Sequence, residues 1–130
     1  ADCEGAEPAA VRSCSTALTI MQETAELNAR LAEQGLPNII IGAGIATGEV
    51  ISGRIGSHSG RRDYTVIGDR VNLAARLEAM SHFSDQMHIL ADLQTMQTAT
   101  ARFGFKSHGE LPVKGKASLV QVYELFESNN

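Results

Sequence analysis

Apolar residues near the start of the chain recur at steps of three and four, from Val11 and Cys14 to Leu31. This spacing lines one side of a helix, so the pattern predicts an amphipathic helix over about 9–34. Gly35, the next residue, is typical of a helix end. We expect this helix to cover a hydrophobic core rather than to bind a partner protein.

Short segments of alternating or branched apolar residues follow, and they are typical of a small sheet with two further helices. The second predicted strand is expected to pair antiparallel with the first. The order of elements indicates an α+β fold with the helices largely on one face of the sheet. The predicted strands cover about 38–45, 49–56, 63–67, 87–90, 103–108 and 119–126, and the predicted helices cover about 69–80 and 91–101.

The composition narrows the class of protein. With 130 residues the chain has the length of one domain or less, and residues 1–8 are predicted to be a flexible lead-in. Its 43% hydrophobic and 20% charged residues argue against a disordered chain. The net charge of -4 disfavours a nucleic-acid-binding protein, although a local basic cluster around an anionic ligand stays open. No apolar run is long enough to span a bilayer, and no signal-peptide pattern is present, so we expect no membrane segment.

Disulfide, zinc and dinucleotide chemistry receive little support. Cys3 and Cys14 do not form a CxxC pair, which favours reduced thiols in a cytosolic domain. The four histidines are scattered and match no zinc motif. The glycines over 42–48 lack the GxGxxG spacing, and those over 53–60 lack the GK[ST] ending of a phosphate-binding loop. We interpret them as strand and hairpin glycines, whose close backbone approach would also suit a dimer interface.

Two polar residues on the predicted helix over 69–80 could contact a phosphorylated ligand. Asn72 and Arg76 stand four apart and therefore lie on one face of that helix. An amide can orient a hydroxyl group, and a guanidinium can stabilise charge on phosphoryl oxygens. Spacing alone leaves ordinary surface roles open for both residues.

A basic turn supplies further candidates. Lys114 and Lys116 flank Gly115, and an ammonium group on such a turn can reach a phosphate tail. Solvated turn lysines remain the open alternative. Asp69, one carboxylate at a predicted helix start, is expected to be an N-cap rather than a metal ligand.

Three blocks of sequence carry a resemblance to a known family. They are IATGEVISGRIG over 45–56, RDYTVIGDRVNLAARLE over 62–78 and VKGK over 113–116, with VYEL over 122–125 as a further match. The middle block matches many residues in the same order, which makes the resemblance specific. On these blocks the chain resembles the class III nucleotidyl cyclase catalytic domain.

The resemblance implies a ferredoxin-like, cyclase-type sheet and the conversion of ATP into 3′,5′-cyclic AMP and pyrophosphate in signal transduction. In this family the ribose 3′-hydroxyl attacks the α-phosphorus in line. Two Mg²⁺ or Mn²⁺ ions, held by two aspartates, activate the hydroxyl and neutralise the phosphates. The active sites lie at a homodimer interface and take residues from both subunits.

The matched motifs also imply roles for residues in the phosphate part of the site. Asn72 matches the asparagine that orients the ribose, and Arg76 matches the arginine that stabilises the transition state. Lys114 matches the lysine that binds the phosphate tail, with Lys116 as the second choice.

The purine part of the site is implied by the end of the third predicted strand. Thr65 matches the position that contacts the purine edge, and the backbone of Val66 and Ile67 matches the lining of the purine pocket. A threonine there resembles many bacterial adenylyl cyclases, yet a hydroxyl can accept from adenine or donate to guanine. A guanylate cyclase therefore stays an alternative, as does a non-catalytic, cyclase-like dimerisation or regulatory module.

The resemblance also indicates what the sequence does not contain. The family's domain opens with a strand and a hairpin that carry the two metal-binding aspartates, and the similarity begins after them. Residues 9–130 thus resemble the C-terminal two-thirds of the domain, lacking the N-terminal strands, with no predicted metal ligand. We expect the chain alone to be inactive, to expose a sheet edge that favours self-association, and to be cytoplasmic or the cytoplasmic part of a larger or membrane-anchored protein. Arg70 stands where the family usually has a small residue.

Overall fold

The computed structural model describes residues 7–56, 62–83, 86 and 88–128, with the backbone alone over 52–56 and 62–66. No helix in this part of the chain is long and apolar enough to cross a membrane. The elements, in chain order, are α1 (Ala9–Glu33), β1 (Ala43–Ile45), β2 (Ile51–Gly56), β3 (Arg62–Ile67), α2 (Asp69–Met80), β4 (Ile89–Asp92), α3 (Leu93–Ala99), β5 (Phe103–Leu111) and β6 (Val120–Ser128).

Helix α1 has nearly the predicted bounds. Its buried residues, Val11 and Cys14 among them, recur at the expected spacing, and the next residue after its C-cap is Gly35 with a φ of 72°. The strand after it is shorter than predicted, because the Asn28 side chain binds the backbone of Ile39. The Asn28 amide donates to the Ile39 carbonyl at 2.8 Å, and the Ile39 N–H donates to Asn28 Oδ1 at 2.7 Å. These backbone groups are therefore satisfied without a strand partner.

The strands form two separate sheets. One has the order β1-β4-β6-β5, in which β1 runs parallel to β4 while β6 is antiparallel to both of its neighbours. The other is an antiparallel hairpin of β2 and β3. The predicted antiparallel pairing of the first two strands is wrong. Strand β1 lies against α1 and α2 and pairs with β4, whereas the strand partner of β2 is β3.

Two apolar clusters lie on opposite faces of the four-stranded sheet. Ile89 of β4 packs with Val11 and Cys14 of α1, whereas the adjacent Leu90 packs with Leu73 of α2. Neighbouring residues of a strand point to opposite faces, so α1 and α2 cover different sides. Helix α3 lies with α1, because Ala99 belongs to the same cluster as Ile89. The predicted placement of the helices on one face therefore holds for α1 and α3 among the described elements, whereas α2 covers the other face.

Helix α2 approaches β1 closely because of Gly44. A Cβ atom at this position would lie 2.2 Å from the carbonyl oxygen of Ala74 and 2.5 Å from the amide nitrogen of Glu78. The backbone of the helix thus rests directly on the backbone of the strand. This contact fixes the distance of α2 from the sheet and therefore the positions of the side chains on its exposed face.

Candidate active site

A polar cleft lies between the start of α2 and the turn that joins β5 to β6. It has a volume of about 220 Å³. The three residues predicted to contact ribose and phosphates, Asn72, Arg76 and Lys114, all line it. The rest of the lining consists of Asp69, Leu73, Gly115 and Lys116.

Helix geometry explains why two of these side chains share the cleft. Asn72 and Arg76 are one turn apart and exposed, while Leu73 and Leu77 beside them are buried against the sheet. The apolar pair anchors α2. Consequently the amide and the guanidinium are presented to the cleft from a fixed surface.

The basic turn is held in place by the packing of Val113 and by a backbone hydrogen bond within the turn. Val113 is buried in the same cluster as α2, and the Lys116 N–H donates to the Val113 carbonyl at 3.0 Å. Gly115 has a φ of 88°, a conformation that favours glycine. The turn therefore places Lys114, which is exposed, on the opposite wall of the cleft from α2.

The electrostatics of the cleft are dominated by cations. Three cationic side chains line it against one carboxylate, Asp69. Asp69 forms an ion pair with Lys116. The hydrogen bond from the Lys116 ammonium lowers the pKa of the Asp69 carboxyl, and the charges of Lys116 and Arg70 add to this effect. Within the described part of the chain, neither Arg76 nor Lys114 forms an ion pair with a carboxylate. Both charges are thus available to an anion.

Asp69 does not have the predicted capping role. The N-cap of α2 is Gly68, which makes no side-chain capping bond, and Asp69 is the first helical residue. An acidic residue in a first turn still interacts favourably with the helix dipole. Its carboxylate, however, contacts Lys116 across the cleft rather than the helix backbone.

The described residues do not fit a two-metal centre. No three His, Cys, Asp or Glu side chains among them are grouped so that they could hold a metal ion. Of the residues that the structure describes, Asp69 is the single carboxylate that lines the cleft, and Lys116 already binds it.

The predicted purine-contacting residues lie at the neighbouring hairpin. Thr65 and Val66 are placed opposite Gly53 and Ser52 in the β2–β3 ladder, and their side chains lie outside what the structure describes. Ile67 is exposed and borders a separate recess of about 420 Å³. Only Gly68 separates Ile67 from the first residue of α2. The recess and the polar cleft therefore adjoin the same end of that helix.

Two polar clusters went unpredicted. Arg70 binds Asp92 at 3.0 Å, and the Asp-x-x-Thr spacing that begins at Asp92 is the sequence signal for its observed role as N-cap of α3. Glu124 binds His88 at 2.6 Å and His108 at 2.8 Å, and no sequence spacing indicates this second cluster.

Comparison with known proteins decides the family. Residues 3–126 match the family model of the adenylate and guanylate cyclase catalytic domain. The chain belongs to this family. The sequence resemblance is thereby confirmed, and so is the α+β, cyclase-type fold.

The relatives of this cyclase domain include proteins of both nucleotide classes. It is 30% identical over 116 residues to adenylate cyclase 1 of Rhizobium meliloti, covering 89% of this chain and 17% of that protein. The crystal structure of the adenylyl cyclase CyaB from P. aeruginosa superposes with a TM-score of 0.81 at 29% identity, covering 93% of this chain and 60% of that one. The guanylyl cyclase Cya2 gives a TM-score of 0.76 at 27% identity, with coverage of 93% and 59%. The chain thus spans a minor part of the curated relative's length.

Proposed function

We propose that this cyclase domain takes part in converting ATP into 3′,5′-cyclic AMP and pyrophosphate for cyclic-nucleotide signalling. The ribose 3′-hydroxyl loses its proton and attacks the α-phosphorus in line. The bond between the α-phosphorus and the oxygen that bridges to the β-phosphorus breaks, and that oxygen leaves with the pyrophosphate. The main support for the proposal is that Asn72, Arg76 and Lys114 line one cationic cleft. A family match without that cleft would support the fold alone.

Each side chain of the cleft has a separate task. The Asn72 amide can both donate and accept a hydrogen bond, so it orients the ribose. The Arg76 guanidinium faces the charge that grows on the α-phosphate oxygens during attack, which is the charge that most needs stabilisation. Lys114 is exposed and binds the outgoing phosphate tail as a mobile point charge.

The cleft of one chain is too small for a complete nucleotide site. Its volume of about 220 Å³ is below the roughly 300–1,000 Å³ of small-molecule sites. We therefore propose a homodimer with shared sites, in which a second catalytic domain supplies the remaining walls. Exposed apolar residues at the base of the hairpin, with Ile51 at 74% and Ile67 at 54% exposure, are candidates for the covered surface. Two Mg²⁺ or Mn²⁺ ions would be held by groups beyond the described residues.

The choice of ATP rests on Thr65, whose position in this sequence resembles that of bacterial adenylyl cyclases. The second candidate is GTP, because Cya2, a guanylyl cyclase, is nearly as similar in structure as CyaB. We place the reaction in the cytoplasm. Cys14 is a free thiol in the described structure, and free thiols are typical of reducing compartments.

The test is a cyclic-nucleotide assay of the full-length gene product with ATP or GTP and Mn²⁺. Arg76→Ala should lower kcat about 10²–10³-fold while KM changes little, because the interaction is made in the transition state. Lys114→Ala should instead raise KM. The control is Arg30→Ala, which removes an exposed arginine from the last turn of α1.

Three outcomes separate the hypotheses. A higher kcat/KM for ATP than for GTP supports the adenylate assignment, and the reverse order replaces it with guanylate cyclase. Equal losses of kcat and of ground-state nucleotide affinity in Arg76→Ala would contradict the role of Arg76. Failure of the folded protein to bind an ATP analogue with Mn²⁺ in calorimetry would favour a non-catalytic module.

A further inference from the structure

Arg70 lies on α2 but does not line the polar cleft. Successive helix residues are rotated by about 100°, so Arg70 is turned about 160° from Asn72 and about 120° from Arg76. Its side chain instead borders a recess with Asp92 and Gln94 on the other side of the helix. Arg70 is therefore outside the set of groups proposed to contact the nucleotide.

Asp92 connects three segments of the chain. Its side chain is 3% exposed, and the Arg70 Nη1 donates to its Oδ2 at 3.0 Å. The backbone N–H of Thr95 donates to Oδ1 at 3.0 Å, and the backbone N–H of Thr47 donates to the same oxygen at 3.3 Å. The carboxylate thus joins α2, the first turn of α3 and the segment after β1. A buried charge with this many partners has a defined position.

Gly48 makes room for the Arg70 side chain. A Cβ atom on Gly48 would lie 2.5 Å from Cγ and 2.9 Å from Nε of Arg70. The arginine therefore crosses close over the backbone of the segment after β1 to reach Asp92. Arginine suits this path because its guanidinium keeps its charge and directs its donors rigidly.

The start of α2 depends on such contacts, because its N-cap, Gly68, offers no side-chain bond to the helix. Among the described residues, two ion pairs connect this end of the helix to other segments. The Asp69–Lys116 pair joins an exposed carboxylate of the helix to a lysine on a turn. The Arg70–Asp92 pair connects the helix to a buried residue at the end of β4. Of these two pairs, the second connects the start of α2 to the sheet.

We propose that Arg70 is a positioning residue for the cyclase reaction. Its bond to Asp92 fixes the first turn of α2 against the sheet and so sets where Asn72 and Arg76 meet the nucleotide. This inference rests on the proposed function. A displacement of about 1 Å of catalytic groups can cost roughly 10²-fold in rate, so turnover should respond more strongly than nucleotide affinity.

The experiment compares Arg70→Met, Arg70→Lys and a matched control in the full-length gene product. Methionine keeps an unbranched apolar stem beside Gly48 but removes the charge. Arg70→Met should lower kcat about 10–100-fold with KM within about threefold, and Arg70→Lys should recover part of the loss through its ammonium group. The control is Arg102→Met, which breaks an exposed ion pair with Glu7 and should leave both constants unchanged.

Two results would overturn the inference. One is an Arg70→Met variant with the kinetics of the control, and the other is a change confined to KM. If the folded parent makes no cyclic nucleotide from ATP or GTP, the proposed function fails. Hydrogen exchange of amides 71–76 then tests the positioning role. Faster exchange in Arg70→Met, but not in Arg102→Met, supports it, and unchanged exchange overturns it.

Discussion

Gly44 is the position where a single methyl group should most directly disturb both stability and activity. A Cβ atom there would lie 2.2 Å from the Ala74 carbonyl oxygen and 2.5 Å from the Glu78 amide nitrogen. Both are backbone atoms of α2, so neither can rotate away. Ordinary non-bonded contacts lie near 3.5 Å, and relief therefore requires the helix and the strand to separate by roughly 1 Å.

The cost of Gly44→Ala follows from that displacement. Overpacking of a close-packed interior destabilises by about 1–3 kcal/mol, and a clash with backbone belongs at the upper end of this range. Natural domains have total stabilities of about 5–15 kcal/mol, so the loss is a large share. Without the clash, Gly44→Ala would be expected to stabilise the protein, because alanine is favoured over glycine inside a strand by roughly 0.5–1 kcal/mol.

The measurement is urea-induced unfolding of the chain, followed by circular dichroism. Gly104→Ala is the matched control, because Gly104 also lies in a strand and its Cβ would meet the outer ring atoms of Phe126 at 2.8 Å. Phe126 is exposed and can swing aside. We expect a lower urea midpoint for Gly44→Ala at a similar m-value, and a change within about 1 kcal/mol for the control.

A Gly44→Ala variant as stable as Gly104→Ala would refute the reasoning, because it would mean that α2 does not rest on the backbone of β1. If the helix instead shifts and the fold survives, the variant should lose kcat in the full-length gene product, since α2 carries the residues proposed for ribose and phosphate contact.

Three further predictions concern titratable groups. Partial burial would raise the pKa of Glu124, but the hydrogen bonds from its two histidine partners outweigh it and lower that pKa below the ordinary value of 4.5. The resulting stability is present above pH 4.5 and is lost as the pH falls through the folded-state pKa. Glu124→Gln should therefore weaken the dependence of the free energy of unfolding on acidic pH. An unchanged pH dependence of that free energy in the variant would contradict this. Lys116→Ala should raise the midpoint of the Asp69 carboxyl in an NMR titration, because its main hydrogen bond is gone; an unmoved midpoint would show that the pair does not form in solution. Burial raises the pKa of Cys14 to about 11, so in a Cys3→Ser background it should react with a thiol reagent only on unfolding, and fast reaction in the native state would disprove its burial.

The sequence alone determined those helices and strands that depend on residues close together in the chain. The apolar period and Gly35 were sufficient for the bounds of α1, and alternation was sufficient for β6. Asn72 and Arg76 could be placed on one face because residues four apart in a helix always share one. The basic turn made Lys114 and Lys116 candidates, the family resemblance favoured Lys114, and both line the cleft with Asn72 and Arg76.

Only the tertiary structure decided which distant segments meet. Strand β1 pairs with β4 rather than with β2, and the predicted start of that strand lies outside the sheet, where Asn28 binds the backbone of Ile39. Asp69 contacts Lys116 across 47 residues instead of capping its own helix, and Arg70 reaches Asp92 across 22. Periodicity records which side of an element is apolar, but it does not record which partner covers that side or which charge lies opposite. Those choices depend on close packing among residues far apart in the chain, and they set the shape of the cleft.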